Sequence, residues 1–173
     1  MRALLFGAIV GTVLWMASEI FELSGGGFSE ISLLITVGAF LLLAIGCWGL
    51  HGSQSPERNV LSFSGTLLIS LAFAIFAVLT FQLMTGQASP ETIESPLFRI
   101  GGILMVLGAV VFGIAVSRAA LFPVWTGAAM IVLSIGTVAI EAVIGPGLSQ
   151  NLVNLLLGAI LIFMSIHALR AQV

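Results

Sequence analysis

The sequence predicts an all-α integral membrane protein: a compact bundle of about six transmembrane helices with short loops and both termini cytoplasmic. Three observations carry this. Hydrophobic residues make up 60% of the 173-residue chain and charged residues only 7%, against roughly 25% charged in a soluble domain. Apolar runs of roughly 20 residues, the length that spans a hydrocarbon core, recur along the chain. The five arginines are distributed unevenly between alternate loops, as the positive-inside rule demands.

The apolar segments fall at 3–20, 31–50, 61–84, 97–117, 121–143 and 152–169 of a single transmembrane domain, residues 1–173. Each is uniformly apolar and does not alternate, which favours helices over a lipid-facing barrel. Turn chemistry separates them. Ser24-Gly25-Gly26-Gly27 follows the first span and Gly52-Ser53-Gln54-Ser55-Pro56 the second, while the stretch from Gly86 through Pro96 holds two prolines and two glutamates. Pro123 suits the first turn of the fifth helix, and Gly145-Pro146-Gly147 closes it. Met1-Arg2 and the apolar stretch after it resemble a signal peptide, but Trp15 and Met16 are too large for a cleavage site, so a retained helix is expected. A Gly-Ala pair recurs in the even spans at Gly38, Gly108 and Gly158, but also at Gly7 and Gly127, so no repeat is built on it.

With the N-terminus cytoplasmic, Arg2, Arg58, Arg118 and Arg170 fall inside and only Arg99 outside. Glu19, Glu22, Glu30, Glu91, Glu94 and Glu141 fall outside, leaving Glu57 inside. A prokaryotic plasma membrane is the expected location.

The residues that are missing exclude much chemistry. The chain has no Lys, Asp or Tyr and one cysteine, Cys47. That removes lysine Schiff bases, a P-loop, an intrachain disulfide and a cysteine zinc site. A net charge of −2 gives no footprint for nucleic acid. No cofactor and no metal site are expected. Haem held between His51 and His167, which share a depth, is disfavoured, because histidines at helix C-termini are explained by the helix dipole. Trp48 and Trp125 fit an interfacial belt, and Cys47 reads as a small packing residue.

The helix faces supply the candidate residues. Gly7, Gly11, Trp15, Ser18, Glu19 and Glu22 lie within about 120° on the first span, at 100° per residue. Gly7 and Gly11 form a GxxxG pair suited to close helix approach, and Ala109 and Gly113 are candidates for the same purpose on the fourth. Near the end of its span, a glutamate is by default solvated at the outer interface, which is the expectation for Glu19 and Glu22. Gly127, Ser134, Thr137 and Glu141 line one face of the fifth span, with Glu141 expected to snorkel to the headgroups. Asn151 and Asn154 open the sixth span, where buried amides seek interhelical hydrogen bonds. Glu19, Glu22, Arg99, Glu141, Asn151 and Asn154 thus share an outer level and form one candidate polar cluster.

No catalytic residue is assigned. The expected role is a non-catalytic accessory or assembly subunit of a membrane complex. The alternatives are a small oligomeric transporter or channel admitting a cation or protons through the acidic cluster, and an intramembrane enzyme acting on a lipid or isoprenoid. The expected partners are the lipid bilayer and either another membrane protein or further copies of the chain.

Overall fold

The computed structural model describes the backbone of residues 1–25, 29–54, 60–89, 95–144 and 148–172, and their side chains except at 140–150. Among the described residues it is all-helical: α1 (Arg2–Gly25), α2 (Glu30–Ser53), α3 (Val60–Met84), α4 (Pro96–Arg118), α5 (Val124–Ile144) and α6 (Leu148–Arg170). Five helices are long and apolar enough to cross a membrane: α1 to α4, and α6 over Asn151–Arg170. The described apolar stretch of α5, Val124–Ala139, is shorter.

Local chemistry sets the ends. Ser29 caps α2 in a reciprocal box: its Oγ accepts from Ser32 N at 3.1 Å and its N donates to Ser32 Oγ at 3.0 Å. Ser95 caps α4 with Pro96 in the first turn. Gly86, at φ +68°, closes α3 by a Schellman motif in which Gly86 N donates to Leu83 O and Gln87 N to Gln82 O. Pro123 sits just before α5, where its carbonyl accepts both the N–H and the hydroxyl of Thr126. The fifth helix therefore starts at Val124, three residues after the expected 121. Helix α1 runs to Gly25, five residues past the expected 20, and carries Glu19 and Glu22 within it. It continues beyond the apolar run because its last turns hold polar groups that find partners along the helix and across to α6.

Each helix packs on its sequence neighbours, and α6 packs on α1, closing a ring. Every seam is antiparallel. Gly46 and Gly49 of α2 meet Ala8 and Leu5 of α1, and Gly65 of α3 meets Phe112 of α4. Phe40 and Phe73 pair across α2 and α3, and Trp125 and Phe163 across α5 and α6. The chain ends lie together, where the Arg2 guanidinium donates to the carbonyl of Gln172 at 2.7 Å.

Both surfaces of the ring are apolar, so no helix has a strongly amphipathic pattern. What separates the interior from the outward-facing side is polarity. Ile31, Leu34, Ile45, Val60 and Val132 face outward, while Thr12, Ser18, Thr36 and Ser134 are buried with Trp15, Phe73, Phe112 and Phe122. Those four hydroxyls donate to carbonyls of their own helices, three or four residues back, which satisfies them without water. Phe73, Phe112, Leu43 and Met164 fill the middle.

Candidate functional site

The polar groups at the end of the bundle where α1 ends and α6 begins centre on Glu19. Four residues apart on one helix face, Trp15 and Glu19 are neighbours by geometry, and the Trp15 indole N–H donates to Glu19 Oε1 at 2.9 Å. Asn154, in the second turn of α6, donates its Nδ2–H to the same oxygen at 2.9 Å. One carboxylate oxygen thus takes two N–H donors, one from each side of the α1/α6 seam. Glu19 is only 8% exposed. The expectation of a solvated helix-end glutamate does not hold for it, because α1 extends beyond this level and α6 covers it.

The other candidates are placed differently. Glu22, one turn further along α1, is half-buried and lies within the Coulomb field of Glu19. Asn151 is half-buried at the same end of α6. Arg99 is exposed near the start of α4, a helix that packs on α3 and α5 and not on α1. It stands on the far side of the ring from Glu19. The side chain of Glu141 lies outside the described residues, as do Glu57, Arg58, Glu91 and Glu94.

The small residues serve seams within the chain. A Cβ at Gly11 would stand 2.9 Å from Leu42 Cβ and 3.1 Å from Ala39 O of α2. At Gly7 the nearest atom is Leu42 O at 4.0 Å. Gly113 faces Gly127 O and Ile131 of α5, and Ala109 is buried on α4. A substitution at Gly11 therefore tests the α1/α2 seam of the bundle itself. Gly46, Gly49, Gly65 and Gly127, which sequence reasoning did not single out as packing points, make equally close approaches. Glycine spacing gives no sign of which helix each one faces.

The two histidines occupy the opposite end. His51 Nδ1 lies 2.8 Å from Ser62 Oγ and its ring meets Trp48 and Phe63 edge-on. His167 stacks on Phe163 and lies near Phe122. Their ring contacts are to different aromatic groups. Among the described residues no three His, Cys or Glu side chains are grouped to hold a metal ion.

Comparison with protein-family models, curated proteins and solved structures returns no match.

Chemically, the Trp15–Glu19–Asn154 arrangement is an interhelical tie. An interhelical hydrogen bond within a membrane is worth about 0.5–2 kcal/mol, and leaving a buried donor unpaired costs about 1–3 kcal/mol. Glu19→Gln keeps an acceptor oxygen and is expected to unfold near the wild-type midpoint in detergent. Glu19→Leu strands both donors and is expected to lose about 1–3 kcal/mol. A double-mutant cycle of Glu19→Leu with Asn154→Leu should show a coupling above about 0.5 kcal/mol. Additive losses would mean that the two side chains do not hold each other in the membrane.

Proposed function

We propose that this protein is a non-catalytic accessory or assembly subunit of a membrane complex, crossing a prokaryotic plasma membrane six times with both ends cytoplasmic. The observation that carries the reading is how the interior is used. The buried carboxylate is taken up in a tie between two helices, and the space beside it is filled by a cluster of aromatic rings. Trp15, Phe73, Phe40 and Phe76 follow one another with ring centroids 5.7–5.9 Å apart along that order. Polar groups committed to internal packing, with bulky apolar side chains facing lipid, suit a protein whose work is to hold other membrane components.

The topology belongs to the same reading. At 1.5 Å per residue the 21 residues of α5 reach about 31 Å, enough for a hydrocarbon core of about 30 Å. Arg2, Arg118 and Arg170 share one end of the bundle, and the described glutamates Glu19, Glu22 and Glu30 the other. That is the asymmetry expected when the arginine end stays in the cytoplasm.

Native mass spectrometry of the protein released from its own membrane in mild detergent tests the proposal. The expected result is a heterologous partner at fixed stoichiometry. A homo-oligomer without partners would overturn it. One observation favours transport as the second reading: an ionisable residue, Glu19, buried within a spanning helix. On that reading, liposomes containing the protein would pass protons or cations, and Glu19→Gln would abolish the flux.

A further inference from the structure

We propose that the groove between α5 and α6 binds one anionic phospholipid, with an acyl chain in the groove and the headgroup between Arg118 and Arg170.

The groove arises from the way the seams are built. At the α1/α2, α3/α4 and α4/α5 seams glycines let backbones come close, and at the α1/α6 seam a glycine admits neighbouring side chains. Gly46 meets Ala8, Gly65 meets Phe112, Gly113 meets Gly127, and Gly158 of α6 meets Met16 and Thr12 of α1. Among the described residues the α5/α6 seam has no such contact: Gly136 of α5 has nothing within 4 Å, and Gly158 is turned to α1. The opening has a volume of about 430 Å³, lined by Trp125, Ala129 and Val132 of α5 and Leu156, Ala159 and Ile160 of α6. Its walls are apolar and it is open to the surroundings, so in a bilayer hydrocarbon fills it where water would not. The volume lies in the small-ligand range of about 300–1,000 Å³. A spanning helix, about 10 Å across and 30 Å long, displaces roughly 2,000 Å³ or more.

Charge selects the headgroup. Arg118 ends α4 and Arg170 ends α6, both exposed. The α4–α5 turn is drawn to the end of α6 by Phe122, whose ring centroid is 6.1 Å from that of His167. Both arginines thus end helices at the end of the bundle where Trp125, 53% exposed, meets Phe163 with ring centroids 5.1 Å apart. Glu19, Glu22 and Glu30, the described acidic residues, all lie at the far end of the bundle. Paired cations beside a groove between helices, with an indole at headgroup level, complement a phosphate with a net negative charge.

The site stands apart from the subunit reading, because it is tested on the purified chain alone. The full-length protein is placed in nanodiscs holding equal phosphatidylglycerol and phosphatidylcholine, and the lipid it retains is identified by native mass spectrometry. The expected result is one retained phosphatidylglycerol. Arg118→Gln and Arg170→Gln, at exposed positions that leave packing untouched, should each weaken retention about fivefold. Ala129→Leu with Ala159→Leu should abolish it, with the helical circular dichroism of the wild type confirming the fold. Equal retention of both lipids, or wild-type retention in the two arginine variants, would overturn the proposal. So would a polypeptide, in place of lipid, cross-linked to a photoreactive side chain at Val132 in native membranes.

Discussion

Gly65→Ala is expected to lower the unfolding midpoint in detergent sharply, whereas Gly102→Ala should leave it unchanged or raise it. At Gly65 an added Cβ would stand 2.7 Å from the Cα and 2.7 Å from the Cβ of Phe112 on α4. Carbon atoms do not approach so closely, and the obstacle is backbone, which cannot rotate out of the way. The α3/α4 seam has to open along part of its length, and Phe112, itself buried in the core, moves with it. Overpacking costs about 1–3 kcal/mol and occasionally more; a clash with backbone belongs at the upper end, about 3 kcal/mol. At Gly102 nothing lies within 4 Å, so the methyl meets open space and the helix gains up to about 1 kcal/mol of propensity. Equal midpoints for the two variants would show that α3 and α4 do not meet at Gly65.

Phe73→Ala should produce the second large loss. Phe73 is 1% exposed and lies at the centre of the aromatic cluster, with Trp15 at 5.9 Å and Phe40 at 5.7 Å. In a water-soluble protein such a truncation costs about 3–5 kcal/mol, part of it the transfer of the ring from water. In a bilayer the unfolded helices still lie in hydrocarbon, so that part falls away and packing remains. A cavity of about 100 Å³ at about 24 cal/mol per Å³ leaves about 2–3 kcal/mol. Truncating a lipid-facing side chain such as Ile103, 59% exposed, should cost well under 1 kcal/mol, since lipid closes around the smaller residue. Equal losses at the two sites would place Phe73 on the lipid face.

Three particular residues show how far the candidate site was legible. Glu19 and Asn154 were grouped from their common depth, and they do share a hydrogen bond. Arg99 was grouped with them on the same argument and lies on a helix across the ring. Depth follows from counting residues along a helix, but the angular position of each helix in a bundle does not. The Trp15–Glu19 bond is a four-residue spacing already visible in the chain, although nothing local said that α6 would cover it. The seam glycines follow the same pattern: Gly11 was picked out as a packing point, but that it faces α2 emerges only from the fold.

By itself the sequence determined that the chain is helical and apolar, where most helix boundaries lie, and which charges share an end. Those properties come from composition and from spacing along one dimension, where the bilayer length scale and local turn chemistry act. The tertiary structure alone decided the closed order of the ring, the burial of Glu19, the aromatic cluster and the groove between α5 and α6. The physical reason is that both faces of each helix are apolar, so hydrophobic patterning carries no signal for inside against outside. Which face turns inward is settled by steric fit: glycines that admit a neighbouring backbone, and hydroxyls and amides that find a partner where lipid offers none.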